Sequence, residues 1–135
     1  MDRLVQLDTA KLAHEKGFDK PSWDFITRQD EEESVLSFIG DTFEDKLELA
    51  KKYLFCYIPT QSSLRNWLWD VHKIWVEITL WGDGIGFSCM VKKQGKEEGE
   101  NCPVVRMVEG VDIHSTDNPY TIIEKGLQKA LNSIP

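Results

Sequence analysis

The chain has 135 residues, of which 41% are hydrophobic and 29% are charged, and its formal net charge is −7. This composition is typical of one globular domain with a hydrophobic core, and it excludes a disordered chain and a collagen-like repeat. No apolar run approaches the roughly 18 residues of a membrane helix, and the N-terminus lacks the pattern of a signal peptide. We therefore expect a soluble, cytoplasmic protein that does not bind membranes.

Negative charge is concentrated in the first part of the chain. Residues 1–50 contain 6 basic and 13 acidic residues, whereas residues 51–135 contain 10 of each sign. The densest stretch is Asp30-Glu31-Glu32-Glu33, and we predict a solvated acidic loop there because adjacent carboxylates repel one another. An alternative function for this run is mimicry of nucleic-acid phosphates. Direct nucleic-acid binding is not expected, because no cluster of Lys and Arg is larger than a pair.

The three cysteines, Cys56, Cys89 and Cys102, are widely spaced and form no Cys-x-x-Cys motif. Neither a disulfide framework nor a zinc site is therefore indicated, and buried free thiols are expected. A metal site made of Cys89, Cys102 and His114 is an alternative, but the spacing of these residues fits none of the usual ligand patterns. The sequence predicts no metal and no cofactor.

Two helices and one strand are predicted before residue 59. Residues 7–17 form the first helix, which Asp8 can cap and which Gly17 can end by taking a left-handed conformation. Trp23 and Phe25 alternate with a polar residue, as in a short strand over residues 21–27. Residues 34–39 are too mixed for an assignment. A second helix with undefined ends is predicted from apolar residues at helical spacing, namely Phe43, Leu47, Ala50 and Leu54.

The clearest helix spans residues 60–73. Pro59 excludes helix just before it, and Thr60 offers an N-cap hydroxyl. The apolar face of this helix is formed at positions i, i+3, i+4 and i+7 by Leu64, Trp67, Leu68 and Val71. Trp69 projects about 140° away from Leu64, at ~100° per residue, so it lies off this face.

A β-hairpin follows, and its register can be derived from the sequence. Aliphatic residues alternate with other residues over positions 74–81 and 85–93. Asp83-Gly84 is a favoured two-residue turn, because both of its positions need positive φ. With that turn every pair on one face is apolar, namely Val76 with Val91, Ile78 with Cys89 and Leu80 with Phe87. A three-residue loop would place aliphatic residues opposite serine and glycine, so the two-residue turn is predicted.

A third strand and a last helix complete the pattern. The strand covers residues 104–108, and Pro103 before it suggests that the strand starts abruptly or lies at an edge. The helix begins near Pro119, and Thr121 with Glu124 offers an alternative capping box. Its buried face contains Ile122, Ile123, Leu127, Ala130, Leu131 and Ile134. Gly126 lies among them and costs up to ~1 kcal/mol relative to alanine, so we expect it to permit close approach to the sheet.

These elements predict the α+β class. The hairpin and the third strand form an antiparallel three-stranded sheet with helices packed on its aliphatic face, so residues 59–135 form a helix-β-β-β-helix core. Residues 1–58 precede this core as an acidic N-terminal segment. Because no linker and no internal repeat is visible, we predict a single domain over residues 1–135.

Two groups of residues invite a catalytic or nucleotide-binding interpretation. Gly82, Gly84 and Gly86 resemble a phosphate-binding glycine loop, but no helix follows them as that motif requires. The second group is a polar loop before the last helix, with Asp112, His114, Ser115 and Asp117. Adjacent polar residues before a helix are usually turn and cap residues. The sequence therefore favours a protein without enzymatic activity, and an unrecognised hydrolase is the alternative.

Three tryptophans are the candidate binding residues. Trp75 and Trp81 point to the hairpin face opposite the aliphatic one, and Trp69 leaves the preceding helix off its apolar face. Large aromatic side chains are favoured in interfaces, because each removes a large area from water at little cost in rotamer freedom. These residues therefore predict a surface for a protein partner. The alternative is that the aromatic residues of the N-terminal segment cover this face.

Three segments of the chain resemble known proteins. They are Ala10-Lys11-Leu12-Ala13 with Glu15-Lys16-Gly17-Phe18-Asp19, then Pro59-Thr60-Gln61-Ser62 followed by Leu64, Trp67, Leu68 and His72, and finally Tyr120 with Glu124, Gly126-Leu127 and Ala130-Leu131. They are similar to a group of short, uncharacterised phage, prophage and mobile-element proteins of gut bacteria. The Pro-Thr-Gln-Ser segment with Trp-Leu behind it is the most specific. The resemblance implies a genetic origin and a small α+β fold, without a substrate.

The order of elements after Thr60 is also that of double-stranded RNA-binding domains. Residues 119–123, however, lack the basic residues that meet RNA phosphates in that module. We therefore expect an accessory protein of a phage or mobile element that contacts an unknown protein partner through Trp69, Trp75 and Trp81. The alternative is an acidic inhibitor that mimics nucleic acid and blocks a host protein.

Overall fold

The computed structural model of the chain describes residues 3–40, 42–80, 87–96, 103–109 and 119–135. The elements in these ranges are α1 (Leu7–Glu15), β1 (Asp24–Gln29), β2 (Glu32–Ser37), α2 (Phe43–Tyr53), β3 (Leu54–Ile58), α3 (Gln61–His72), β4 (Ile74–Leu80), β5 (Phe87–Lys96), β6 (Pro103–Glu109) and α4 (Pro119–Asn132). Helices and antiparallel sheets together confirm the predicted α+β class. Among the described residues, no helix has both the length and the apolar character that crossing a bilayer requires.

The chain divides into two compact units. Leu4–Thr60 is the N-terminal unit, and Gln61–Pro135 with Met1–Arg3 is the C-terminal unit. Each unit contains a three-stranded sheet, in the order β2-β1-β3 in the first and β4-β5-β6 in the second. The boundary lies within two residues of the division that the sequence predicts between the acidic segment and the core. The single domain over residues 1–135 stays a prediction.

The N-terminal unit contains a whole sheet where the sequence predicts one short strand. Strand β1 pairs antiparallel with β2 on one side and with β3 on the other. Phe25, Ile26 and Thr27 of β1 are all buried, so both faces of this strand are covered. Phe55 is the extra residue where the register between β1 and β3 shifts. The guanidinium of Arg28 lies 3.7 Å from the centroid of the Phe55 ring.

Helix α1 ends as the sequence predicts but is capped differently at its start. Gly17 has a φ of +100°, and the N–H of Phe18 donates to the carbonyl of Ala13 at 2.9 Å. The N–H of Gly17 donates to the carbonyl of His14. These two hydrogen bonds together form a Schellman motif. The N-cap position is Gln6 and not Asp8, but Oδ1 of Asp8 accepts the N–H of Thr9 at 3.0 Å, so Asp8 does cap one of the free N–H groups of the first turn. Asp8 lies within the first turn, where its carboxylate is suited to the positive end of the helix dipole.

The hairpin of the C-terminal unit has the register derived from the sequence. Strands β4 and β5 are antiparallel, with Val76 opposite Val91, Ile78 opposite Cys89 and Leu80 opposite Phe87. The predicted Asp83-Gly84 turn lies outside the described residues. Strand β6 pairs with β5 and forms an edge of the described sheet, which confirms the position that Pro103 indicates.

Helix α4 packs closely against β4 and β5. A Cβ atom at Gly126 would overlap Sγ of Cys89 and lie 3.0 Å from Cγ1 of Val76, which confirms the close approach predicted for this glycine. Helix α3 contacts both α4 and β4. The core of this unit contains Leu64, Trp67, Leu68, Ile74, Val76, Cys89, Val91, Ile122, Leu127, Ala130 and Leu131. The helices thus cover the aliphatic face of the sheet.

Two periodic assignments are wrong in detail. Val71 is 57% exposed although it belongs to the apolar set of α3, because it lies in the last turn, beyond the part of the helix that is covered. Trp23 is 63% exposed whereas Phe25 is buried, although their alternation predicts a common face. The reason is that β1 begins at Asp24, so Trp23 precedes the strand and the alternation does not reach it.

The predicted acidic loop is a tight turn followed by a strand. Gln29 pairs with Glu32, which leaves a two-residue turn between β1 and β2. Asp30 takes a φ of 56° in this turn, a conformation that aspartate tolerates better than most residues. Glu32 and Glu33 belong to β2, where backbone pairing offsets the repulsion between neighbouring carboxylates.

Candidate functional site

Trp75 stands on the face of β4 that is turned away from α4. Successive side chains of a strand point to opposite faces, and Val76 is buried beside Gly126 of α4. Trp75 and Glu77 therefore share the other face, where both are half-buried. On β5, Lys92 lies directly opposite Trp75. This placement confirms the parity that the sequence predicts for Trp75.

Trp69 meets Trp75 from the neighbouring helix α3. Trp69 is half-buried, whereas Leu64, Trp67 and Leu68 of the apolar face of α3 are buried, which agrees with the predicted position of Trp69 off that face. The ring centroids of the two tryptophans are 6.1 Å apart and their planes are inclined by 79°, which is an edge-to-face arrangement. The structure thus brings together two of the three predicted binding residues. Trp81 lies outside the described residues.

A cation lies over each of the two indole rings. The guanidinium of Arg65 is 5.1 Å from the centroid of Trp75, and Nζ of Lys73 is 5.5 Å from the centroid of Trp69. Arg65 and Trp69 are four residues apart in α3, a spacing that aligns side chains along one side of a helix, and Lys73 follows the end of α3 with a φ of 55°. The ring quadrupole attracts a cation to its face. Both positive charges are therefore held beside the indoles.

The two indoles line an open groove. Its lining residues are Trp69, Trp75, Glu77 and Lys92, its volume is about 450 Å³, and we call it the aromatic groove. Nζ of Lys92 lies 2.8 Å from Oε2 of Glu77, and both side chains are partly exposed. The groove therefore combines an apolar wall with a salt bridge. Sequence reasoning identified the two tryptophans but not Glu77 and Lys92, although the derived register places Lys92 beside Trp75.

The two described cysteines are poor nucleophiles. Cys56 and Cys89 are free and buried, which confirms the expected state of these two thiols. Burial raises the pKa of each thiol to about 11. Because the thiolate is the reactive form, neither residue is activated at neutral pH. Cys102 lies outside the described residues.

The described histidines are engaged with aromatic rings. His14 lies against Phe55 with a centroid distance of 5.3 Å, and His72 meets Trp67 edge-on at 4.8 Å. His114 and the other polar residues of its loop lie outside the described residues. Across the described ranges, no group of three or more His, Cys, Asp and Glu residues is arranged to hold a metal ion.

A buried polar contact joins two segments that are distant in sequence. Nε2 of Gln61 donates to the backbone carbonyl of Tyr120 at 2.9 Å and lies 3.3 Å from Oε1 of Glu124. Gln61 and Glu124 are only 5% and 4% exposed, so Glu124 is a buried residue of α4, where the sequence suggests a capping side chain. Both residues belong to the segments that carry the phage-protein resemblance. The contact therefore gives the buried amide of Gln61 two acceptors within the C-terminal unit.

A second apolar pocket lies in the N-terminal unit. It has a volume of about 370 Å³ and is lined by Pro21, Ser22, Trp23, Phe38, Phe43, Leu47 and Tyr57. Sequence analysis missed this pocket, because its residues come from separate elements and no period unites them. The feature that marks this pocket is the exposure of Trp23, and the exposed fraction of a side chain cannot be read from a sequence.

The acidic run is only partly available to a partner. Oε2 of Glu33 lies 2.6 Å from Nζ of Lys11, and Oε1 of Glu33 lies 2.7 Å from Nη2 of Arg28. These two cations hold the pKa of the Glu33 carboxyl below its usual range. Asp30, Glu31 and Glu32 are exposed at the turn. Three of the four carboxylates are therefore presented to solvent, and the fourth is part of an ion-paired cluster.

Comparison with known protein families, with curated proteins and with solved structures found no match to this chain.

Proposed function

We propose that this chain is a non-catalytic protein-binding module of a phage or mobile element, and that it binds its partner at the aromatic groove. The observation that carries the proposal is the edge-to-face pair of half-buried tryptophans, Trp69 and Trp75, which lines an open groove. The mobile-element origin rests on the sequence resemblance alone.

The physical basis is the energy that indoles supply in interfaces. An indole combines a large apolar area with an N–H donor, and tryptophan is enriched among the residues that dominate binding energy. In the aromatic groove the two rings pack against each other edge to face, and Arg65 and Lys73 each contact one of them. Because the rings are already ordered, binding costs little additional rotamer freedom. Trp81 is part of the same proposal through its predicted position on this sheet face.

Affinity capture with matched tryptophan variants tests this function. The full chain is immobilised, exposed to a lysate of gut bacteria, and compared with Trp69→Ala, Trp75→Ala and the control Trp23→Ala. Trp23 is the matched control, because it is an exposed tryptophan in the N-terminal unit. We expect a specific partner to be retained by the wild type and by Trp23→Ala and lost from both groove variants. Circular dichroism confirms that each variant is folded. Partners that all survive Trp69→Ala and Trp75→Ala would contradict the proposal.

The acidic turn supports a second candidate function, an inhibitor that mimics nucleic-acid phosphates. Asp30, Glu31 and Glu32 are exposed next to one another at the turn between β1 and β2. Their combined neutralisation by Asp30→Asn, Glu31→Gln and Glu32→Gln leaves the ion-paired Glu33 in place. A partner that is lost from this triple variant, and kept by Trp75→Ala, would favour the inhibitor over the protein-binding groove.

A further inference from the structure

The aromatic groove has a charge that differs from that of the chain as a whole. The chain carries a formal charge of −7. Among the described residues around the groove, however, Arg65, Lys73 and Lys92 are cationic, and the carboxylate of Glu77 in the lining is paired with Lys92. The acidic residue nearest in sequence to Trp69 is Asp70, which is exposed on α3. The groove is therefore a locally positive, apolar site on an acidic protein.

Two of these cations have charge to offer a ligand. Among the ion pairs between described residues, neither Arg65 nor Lys73 takes part. Each instead lies over an indole ring that lines the groove. Cation–π contact orients a charged group without neutralising it. A carboxylate placed beside Trp69 and Trp75 would therefore meet two positioned cations.

The strand that carries Trp75 also favours an extended ligand. In the described sheet, β4 has β5 as its one neighbour, so β4 is an edge strand. An edge presents backbone N–H and C=O groups along which an extended peptide can add as a further strand. Trp75 and Glu77 are alternate residues of β4, and side chains of an added strand meet such residues on the same face.

From these observations, and resting on the function proposed above, we infer that the aromatic groove binds an extended acidic peptide segment of its partner. The segment lies along β4, seats an apolar side chain against Trp69 and Trp75, and places carboxylates beside Arg65 and Lys73. A nucleic acid is less well matched, because its affinity depends on many phosphate contacts, whereas Lys92 is paired with Glu77 and two cations, Arg65 and Lys73, are left to meet a ligand.

Selection from a library of random short peptides tests the inference. The full chain is the bait, and binders to Trp75→Ala are removed beforehand. We expect the selected peptides to be enriched in Asp and Glu around a central Trp, Phe or Leu. A synthetic peptide of the selected sequence should bind about tenfold more weakly to Arg65→Glu and to Lys73→Glu, as loss of a rim charge pair predicts. Binding should weaken further as salt is raised.

Lys125→Glu is the matched control, because Lys125 is an exposed lysine of α4 outside the groove. It changes the net charge by the same amount and should leave peptide affinity unchanged. If it weakens binding as much as Arg65→Glu, the effect is one of net charge and the inference fails. The same binding assay with a single-stranded oligonucleotide tests a nucleic acid as the occupant of the groove. Sedimentation of the chain alone tests a second copy of the chain.

The outcomes separate this inference from the proposed function. Trp75-dependent peptides that are basic or uncharged would overturn the acidic ligand and leave the protein-binding groove standing. A library without any Trp75-dependent binder would overturn both. Tighter binding of the oligonucleotide, or self-association that Trp75→Ala abolishes, would likewise replace the acidic peptide by another occupant.

Discussion

The two units of this protein are built from similar parts, yet only one of them follows from its sequence. Each has a three-stranded antiparallel sheet and two main helices. In the C-terminal unit, β4 and β5 each bury one face against helices, so apolar and other residues alternate and the register is legible. In the N-terminal unit, β1 is buried on both faces and the first four residues of β2 are exposed. Neither pattern has a period of two.

The units also use their cations differently. In the N-terminal unit, Lys11 and Arg28 both pair with one carboxylate, Glu33, and Arg28 lies over the Phe55 ring as well. In the C-terminal unit, Arg65 and Lys73 lie over indoles. The first arrangement fixes the position of a strand, whereas the second leaves positive charge at a surface. This difference favours binding at the C-terminal unit.

The largest effect is expected near β1, where Phe25 is buried and Trp23 is exposed. Phe25→Ala should lower the free energy of unfolding by about 3–5 kcal/mol, because Phe25 is fully buried. Trp23→Ala should cost about 1–2 kcal/mol, because more than half of its surface is already in water. Urea denaturation of both variants measures the difference. Equal losses would restore the common face that the alternation predicts and would contradict the structure.

A smaller loss is expected where α4 approaches the sheet. Gly126→Ala should lower the free energy of unfolding by about 1–2 kcal/mol, because overpacking against Cys89 outweighs the better helix propensity of alanine. In the background of Cys89→Ala the same change should become much less costly, because Sγ is gone. A double-mutant cycle from denaturant unfolding measures this coupling. Strictly additive losses would show that the helix and strand are further apart.

The ion-paired cluster of the N-terminal unit should give a weaker, pH-dependent effect. The pKa of Glu33 is lowered by hydrogen bonds from Lys11 and Arg28, so its folded pKa lies below its unfolded value. The stabilisation is then present above the unfolded pKa and is lost as pH falls through the folded pKa. Glu33→Gln should therefore be less stable than wild type at neutral pH, and the difference should vanish in acid. Chemical denaturation at both pH values measures it, with Glu31→Gln as the exposed control. An undiminished difference in acid would exclude the ion pairs as its cause.

The smallest effect concerns the end of α3. Val71→Ala should change the free energy of unfolding by no more than about 0.5 kcal/mol, because Val71 is largely exposed. Leu68→Ala in the same helix should cost about 2–5 kcal/mol, because Leu68 is fully buried. Thermal or urea unfolding of the pair distinguishes them. A loss above about 1 kcal/mol for Val71→Ala would mean that the apolar face of α3 continues to its last turn, as its sequence predicts.

The candidate site was predictable in part, for a reason that concerns parity. The alternation in β4 places Trp75 opposite the aliphatic face, and helical geometry places Trp69 off the buried face of α3. Sequence reasoning could not bring Trp69 and Trp75 to 6.1 Å, because that distance depends on how α3 and β4 are oriented after Lys73. Nor could it find that Arg65 and Lys73 lie over the rings. Such contacts are set by side-chain packing across elements.

By itself, the sequence determined the class, the hairpin register, the edge position of β6, the glycine stop of α1 and the close approach at Gly126. Each of these follows from a local rule, because one face of an element or one backbone conformation leaves a mark at fixed spacing. The tertiary structure alone decided that β1, β2 and β3 form a second sheet, that Glu33 is neutralised by two cations and that two indoles share a groove. These features join residues that are distant along the chain, and no periodic pattern records which of them meet.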